Sequence, residues 1–165
     1  MTRSPFPYLE THRVAHQPPN LVHCSSENAG WTSLFACICS EAPYEASIAA
    51  VKDHLIVIPL NKPVRFTRRI AGELQEQILP PGSATTTPGG ADFSIRTSSQ
   101  GRQYDTMHLY IRDELVREIH CDMFGSQATF ALRPFVGAMD EMFQTIAHEI
   151  RKILDTPWPA DSVLC

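Results

Sequence analysis

The stretch His54-Leu-Ile-Val-Ile-Pro-Leu60 decides the fold. From its second residue onward it is an unbroken apolar run rich in β-branched residues, which is typical of a strand buried on both faces. After the turn Asn61-Lys-Pro63, apolar and polar residues alternate from Val64 to Ile70 and predict a strand with one buried face. Gly72 then marks a tight turn into residues 73–79, so the two segments predict a β-hairpin.

The segments on either side of this hairpin also have the character of strands. Two turn sequences, Leu79-Pro-Pro-Gly82 and Thr87-Pro-Gly-Gly90, stand four residues apart, which suits a barrel in which a short strand crosses between sheets. Residues 92–97 and 104–111 predict further strands, and the stretch 31–39 predicts another upstream. Strands at this spacing indicate an all-β barrel or sandwich core.

The pattern then changes to a helical period. Asp113 can cap a helix that runs to about Met123 and ends at Gly125. The residues of this helix that are expected to face inward are Leu115, Val116 and Ile119.

A second helix is predicted from Val136 to Leu154. Apolar residues recur there in steps of three and four, at Met139, Phe143, Ile146, Ile150 and Ile153. We expect this heptad seam to form a dimer interface, and further apolar residues at Met142, Ala147 and Leu154 favour a second contact face. The alternative is that the helix simply packs on the barrel.

Composition and charge are those of an ordinary globular domain. The chain has 165 residues, 43% of them hydrophobic, which is enough for one domain with its own core. Its formal net charge is −4, whereas a domain that binds DNA by itself usually presents a basic face. We therefore expect that this segment does not bind nucleic acid on its own.

Cysteine usage and the lack of targeting signals predict a cytoplasmic protein. The five cysteines are an odd number at irregular spacing, and we interpret them as small buried hydrophobes in a reducing compartment. Cys37 and Cys39 would share one face of a strand. The N-terminus lacks the apolar stretch of a signal peptide, and the apolar run 55–60 is too short to cross a bilayer.

These segments divide the chain into four predicted parts. Residues 1–30 are polar and rich in proline, and are predicted to be an N-terminal arm. Residues 31–111 are predicted to form the barrel, residues 112–155 a helical dimerisation segment, and residues 156–165 a truncated linker.

In their order and spacing, several stretches resemble the N-terminal domain of AraC/XylS-family transcription regulators. They are Asp53–Leu60, Val64–Gly72, the turn pair Leu79–Gly82 and Thr87–Gly90, and Met107–Ile111. The resemblance implies a mainly β fold with C-terminal α-helices, in which a cupin-like barrel (a double-stranded β-helix, or jelly roll) is followed by two helices. The chain departs from the family at Ser83, where an Asp is common, and at 84–87, which are usually apolar.

The same resemblance implies a function. In that family a small-molecule effector occupies the barrel, the following helices form a homodimer, and a separate helix-turn-helix domain binds DNA. That domain would follow Cys165, so the chain is interpreted as the effector-binding and dimerisation domain of a bacterial regulator, with no membrane partner. Two alternatives stay open: a degenerate or metal-free cupin enzyme, and a pure dimerisation module whose barrel is filled by its own side chains.

Strand alternation supplies candidate contacts for the effector. They are Ile56, Phe66, Arg68, Phe93, Ile95, His108 and Tyr110. Among them, Arg68 and His108 would supply the polar contacts, and a buried cation would favour an acidic or hydroxylated ligand. The alternative is that this set is plain core and that His108 is a hydrogen-bonded structural histidine.

No metal, cofactor or catalytic residue is predicted. Many cupins bind a metal through an H-x-H pair, a Glu and a distant His, but the seven histidines of this sequence form no H-x-H pair. His12 and His16 have a four-residue spacing, yet Pro18 and Pro19 argue against a metal-binding helix there. The sequence also has no G-x-S-x-G elbow and no glycine-rich phosphate loop, so the chain is not expected to be an enzyme.

Overall fold

A computed structural model describes residues 4–14, 17, 19–101, 103–125 and 130–156. The strands of the described residues are β1 (Leu21–Ser25), β2 (Leu34–Glu41), β3 (Tyr44–Ile48), β4 (His54–Pro59), β5 (Val64–Ile70), β6 (Glu73–Leu79), β7 (Ser83–Thr87), β8 (Phe93–Ser99), β9 (Tyr104–Ile111) and β10 (Phe135–Met139). Their helices are α1 (Asp113–Phe124) and α2 (Glu141–Leu154).

The strands form two antiparallel sheets that face each other. One has the order β1-β2-β9-β4-β7-β10, and the other has the order β3-β8-β5-β6. The four-stranded sheet turns a mainly apolar face inward, as the alternating burial of β5 shows: every second residue from Val64 to Ile70, including Arg68, is buried, and the residues that alternate with them are more exposed. The predicted class, a mainly β barrel with C-terminal helices, is confirmed.

The six-stranded sheet is buried on both faces around β4, as its continuous apolar run predicts. Leu55 packs on the inner side, whereas Ile58 belongs to the cluster beneath α2, together with Ile150 and Leu154. Ile56 packs against that same outer cluster. The prediction that Ile56 faces the barrel interior is therefore wrong, because periodicity cannot distinguish the two faces of a strand that is covered on both.

The predicted second helix begins later than expected. Phe135–Met139 is the strand β10, which pairs with β7 and carries a bulge at Gly137, where φ is 78°. A side chain at that position would collide with the amide of Gln77. The helix starts only after Asp140, whose Oδ1 accepts a hydrogen bond of 2.8 Å from the backbone N–H of Met142.

The predicted dimer seam is thereby divided among different environments. Met139 lies on β10 rather than on the helix, and it is exposed. Ile150 is buried against the chain's own sheet, and Phe143 packs on Phe135 with ring centroids 6.4 Å apart. Ile146 and Ile153 remain 38% and 41% exposed. The prediction of one continuous dimer seam is therefore wrong, because Phe143 and Ile150 pack on the barrel of the same chain.

The first helix differs from its prediction in burial. It runs from Asp113 to Phe124 and ends at Gly125 at a φ of 82°, close to the predicted bounds. None of its residues is fully buried: Leu115 and Val116 are half-buried, whereas Ile119 is 48% exposed, so the prediction that Ile119 faces inward is wrong. Neither α-helix of the described residues could span a bilayer, since α1 has 12 residues and α2 has 14.

The predicted N-terminal arm is partly built into the barrel. Its last part forms β1, which pairs with β2 at the edge of the larger sheet. Further upstream, Phe6 and Val14 are 1% and 5% exposed, and Phe6 packs against Phe35 of β2. Residues 157–165, most of the predicted linker, lie outside the described residues.

The division of α2 into a packed and an exposed face is testable by matched substitutions. Ile150→Ala removes side-chain volume beneath the helix, and such changes in a core cost about 2–4 kcal/mol. Thr145→Ala, the control on the same helix, is expected to cost about 0.5 kcal/mol or less because its side chain is exposed to water. Urea unfolding of the two variants measures the difference, and equal losses would contradict the packing of α2 described above.

Candidate functional site

A small cavity lies between the two sheets. Its volume is about 40 Å³, which by the volume that one water requires is room for about three waters. Its wall is mostly apolar and comes from both sheets, with Val14 of the arm contributing. The polar residues of its lining are Glu41, Tyr44, Thr85, Thr87, Thr97, Tyr104, Thr106 and His108.

An ion pair between Glu41 and His108 is the centre of the polar part. The two residues are 2% and 3% exposed, and Glu41 Oε1 lies 2.5 Å from His108 Nε2. The Thr106 hydroxyl donates to the same carboxylate oxygen at 2.7 Å, and the Tyr104 hydroxyl donates to the other at 3.2 Å. Tyr104 also lies 2.5 Å from the hydroxyl of Thr97. We call these five residues the polar cluster.

Strand pairing brings the polar cluster together. In the register of β2 and β9, Glu41 stands opposite Tyr104, while Cys39 stands opposite Thr106. Since side chains alternate between faces, every second residue of each strand points into the barrel. His108 therefore comes within reach of Glu41 across the two strands, although the two are 67 positions apart in the sequence.

Both members of the pair are held in their charged forms. Burial acts to raise the pKa of Glu41, but the facing His108 and the hydroxyl donors outweigh it and lower that pKa. Burial acts in the opposite direction on His108, and the Cys39 sulfur and the Glu41 carboxylate outweigh it and raise the pKa to about 10. The cluster is therefore a buried carboxylate–imidazolium pair at neutral pH.

A thiol adjoins this pair. Cys39 Sγ lies 3.4 Å from Thr106 Oγ1 and 3.7 Å from Glu41 Oε1. One ligand atom from each of Cys39, Glu41 and His108 can be chosen so that all three lie within 4.8 Å of one another, and all three residues are buried. The prediction of no metal site rested on the missing H-x-H pair and did not consider this C-x-E sequence opposite a histidine.

Arg68 has a different role from the one predicted. It is 1% exposed, but it is not among the described residues that line the cavity. Its guanidinium donates to Gln75 Oε1 at 2.7 Å, to Thr87 Oγ1 at 2.6 Å and to the carbonyl oxygens of Thr86 at 2.8 Å and Phe135 at 3.3 Å. These acceptors lie on β6, β7 and β10, so Arg68 ties the two sheets together at one edge.

The other predicted contacts fall into two groups. Phe66, Phe93, Ile95 and His108 line the cavity, as their predicted inward orientation requires. Tyr110 lies on the same strand as His108 with its ring 6.5 Å away, and it packs against the arm residue His12 rather than lining the cavity. Their role in binding an effector stays a prediction. Glu41 was missed because its significance depends on its partner strand.

Comparison with known proteins concerns the fold. Similar solved structures include a hydroxypropylphosphonic acid epoxidase from S. wedmorenis (9% identity, TM-score 0.44, 57% of this chain and 51% of that chain). Another is a cupin superfamily protein from Desulfitobacterium hafniense DCB-2 (12% identity, TM-score 0.44, 58% of this chain and 80% of that chain). A third is a variant of Bacillus subtilis oxalate decarboxylase (14% identity, TM-score 0.40, 56% of this chain and 29% of that chain). These structures are similar to this chain in fold alone, and all three have TM-scores below 0.5. This chain spans about half the length of the epoxidase.

No protein-family model matches the sequence, and no curated protein is similar to it. These comparisons give no evidence for the AraC/XylS family specifically. The prediction that the chain is not an enzyme is contradicted, because most of these similar structures are enzymes. Their reactions are not transferred to this cupin-like domain, since the likeness concerns the fold alone.

Removal of the anion from the buried pair is expected to destabilise the domain strongly. Glu41→Gln leaves the imidazolium of His108 without its partner, and breaking a buried pair in this way costs about 3–5 kcal/mol of unfolding free energy. The control is Glu45→Gln on β3, whose carboxylate pairs with Arg96 on the surface; it is expected to leave the urea unfolding curve unchanged. Equal curves for the two variants would show that the buried pair contributes nothing.

The pair also predicts how stability depends on pH. The pKa of His108 is raised from 6.5 to about 10, so its charge stabilises the fold fully below about pH 6.5 and this contribution is lost as the pH rises to about 10. The pKa of Glu41 is lowered, so its contribution is present above its ordinary pKa of 4.5 and is lost in acid. Urea unfolding of the wild type and of His108→Gln should therefore differ most between about pH 5 and 6.5 and converge toward pH 10. A difference that is constant over this range would contradict the assignment.

Proposed function

We propose that this cupin-like domain binds a small molecule inside its barrel, as the effector-binding domain of an AraC-type transcription regulator in the cytoplasm. The observation that carries the proposal is the polar cluster at the cavity. A buried ion pair is a costly way to stabilise a barrel, because apolar residues of the same volume usually do so equally well. A few placed polar groups in an otherwise apolar cavity are, in contrast, what small-molecule sites are built from.

The size of the cavity restricts the ligand. At about 40 Å³, the closed barrel admits only a molecule of very few atoms, and anything larger requires that part of the wall move. The Glu41 carboxylate accepts hydrogen bonds, while His108 and the hydroxyls of Thr106 and Tyr104 donate them within the polar cluster. A compact, hydroxylated or carboxylic molecule would match both kinds of group.

The N-terminal arm is positioned to respond to the ligand. Val14 lines the cavity directly, and the ring of His12 lies 5.4 Å from that of Phe93 and 5.6 Å from that of Tyr110. The Nδ1 of His12 is buried with no hydrogen-bond partner. Entry of a ligand would displace the arm before it displaced the strands.

The barrel is also connected to α1. His54 at the start of β4 lies 3.1 Å from Asp113, and the Asp113 backbone N–H donates to Asp53 at 3.2 Å. Lys52 pairs with Glu114. A change in the β4 end of the barrel would therefore be transmitted to the first turn of the helix, which is how the proposed regulator would convey binding to a separate DNA-binding domain.

We propose, in addition, that a second copy of the chain covers the exposed apolar face of α2. At 100° per residue, Met142, Ile146 and Ile153 fall within about 40° of each other around the helix. Met139, at the end of β10, is exposed as well, so all four residues are accessible to a partner. The stripe adjoins the face that packs on the barrel, so a homodimer would form next to the strands that carry the site.

The binding proposal is tested by a thermal-shift screen of small alcohols, amines and carboxylic acids, with product analysis for each hit. A ligand at 100 times its Kd should stabilise the domain by about 2.7 kcal/mol. Ile95→Phe narrows the cavity and is expected to abolish the ligand-induced shift. Ile56→Phe, the same change on the outer face of β4, should retain it. Shifts that persist in Ile95→Phe would place the ligand elsewhere, and a screen without hits would favour a barrel filled by its own side chains.

The dimer proposal is tested by sedimentation at micromolar concentration. Ile146→Glu places a charge in the middle of the exposed stripe and is expected to convert the dimer to a monomer. The control is Leu74→Glu on β6, which is 58% exposed and lies outside the stripe, and should leave the mass unchanged. A wild type that sediments only as a monomer would refute the interface.

A further inference from the structure

We propose that Cys39, Glu41 and His108 bind a divalent transition-metal ion of the Zn²⁺ type inside the barrel. The three residues are buried, and their ligand atoms lie within 4.8 Å of one another. The ligand set consists of the C-x-E sequence Cys39–Glu41 on β2 and of one histidine on the adjacent strand β9. It is therefore distinct from the H-x-H arrangement whose absence suggested that the chain has no metal site.

The ligand atoms are close enough for one tetrahedral ion after a small separation of two of them. Bonds of 2.0–2.3 Å to nitrogen, oxygen and sulfur place neighbouring ligands about 3.3–3.6 Å apart. Cys39 Sγ and Glu41 Oε1 are 3.7 Å apart, already near that value. Glu41 Oε1 and His108 Nε2 are 2.5 Å apart and would separate by about 1 Å to admit the ion.

The donor types select the class of metal. A thiolate and an imidazole are ligands for Zn²⁺ and related ions, whereas Mg²⁺ and Ca²⁺ take oxygen ligands. A Zn²⁺ ion with one thiolate, one carboxylate and one neutral imidazole forms an uncharged unit. That unit would replace the buried ion pair without adding net charge to the barrel, and its formation releases the protons of the thiol and of the imidazolium.

The surroundings provide both orientation and an open position. Thr106 donates to Glu41 Oε1 and contacts Cys39 Sγ, and Tyr104 donates to the second carboxylate oxygen, so hydroxyls fix two of the three ligands. Glu41 and His108 line the cavity, and its 40 Å³ leaves space for water as a fourth ligand. Three protein ligands with one open position is the arrangement of catalytic zinc sites rather than structural ones.

This inference deepens the proposed function and rests on it for the cavity, because a metal would be the contact for a small polar ligand. The two are separable by experiment. Metal binding is measured without any organic ligand, and the thermal-shift screen can be repeated after dialysis against a chelator. Ligand shifts that persist in chelated protein while no metal binds would overturn only this inference. Stoichiometric metal without ligand shifts would leave the inference standing and refute the small-molecule proposal.

The test is a titration of the chelated full chain with Co²⁺, followed by displacement with Zn²⁺. We expect one equivalent of Co²⁺ per chain and a thiolate-to-cobalt charge-transfer absorption that Zn²⁺ abolishes. Cys39→Ser is expected to lose this absorption, whereas Cys121→Ser, which changes an exposed cysteine on α1, should keep it. Thr106→Val, which removes a hydroxyl that orients two ligands, should keep the stoichiometry and weaken affinity about 10–100-fold.

Circular dichroism of each variant separates loss of the site from loss of the fold. If Cys39→Ser does not fold, the cobalt titration of the wild type alone tests the proposal. Folded wild-type protein without a stoichiometric thiolate–cobalt absorption would overturn it. An absorption that persists unchanged in folded Cys39→Ser, and disappears in Cys121→Ser, would assign the metal to the surface and overturn it equally.

Discussion

The burial of the six-stranded sheet on both of its faces is the constraint on which the rest of the structure depends. Its inner face borders the cavity, and its outer face is covered by α2. Each central strand therefore carries functional residues on one side and packing residues on the other. On β9, His108 points to the cavity, while Met107 and Leu109 lie in the cluster beneath α2. The position of the helix is thus fixed to the strands that carry the polar cluster.

This arrangement gives a physical route between the cavity and the exposed stripe of α2. Protein interiors are close-packed, so a displacement of a few tenths of an ångström at one face of a strand is felt at the other. Movement of His108 would shift Leu109 against Ile150, and Ile150 shares its helix with Ile146. The route needs no additional element, because one residue step along β9 crosses the whole thickness of the sheet.

The fold could be predicted because its strands carry local signals. The alternation of β5 determined which face of Val64–Ile70 is buried, and the Pro-Gly turns located β7. A strand that is covered on both faces has no alternation of apolar and polar residues to show which face is which. For this reason Ile56 was assigned to the wrong face of β4. The heptad pattern likewise continued through Met139, although Gly137 and Asp140 give the chain a bulge and a helix cap instead. There, strand pairing and the helix cap determine where α2 begins, and the apolar periodicity does not.

The candidate site could be predicted only in part. His108 was identifiable as a polar residue within an apolar alternating strand. Glu41 was not, because it stands at the end of β2 beside the turn, where a charged residue is ordinary. Its burial follows from the pairing of β2 with β9, a contact between residues more than 60 positions apart, and no local pattern contains that information. Charge partners across a sheet become visible only with the topology.

The size of the cavity would couple entry of the proposed ligand to movement of the arm. A barrel whose interior holds about 40 Å³ must open for any molecule larger than a few waters, and the part of its wall held by the fewest backbone hydrogen bonds opens first. Strands of the two sheets are held by ladders, whereas the segment around Val14 is held by side-chain packing and by isolated bonds such as that from Asn20 Nδ2 to the Val14 carbonyl oxygen, 2.9 Å long. A ligand or a metal-bound ligand at the polar cluster would therefore be detected by the arm, whatever its chemical identity.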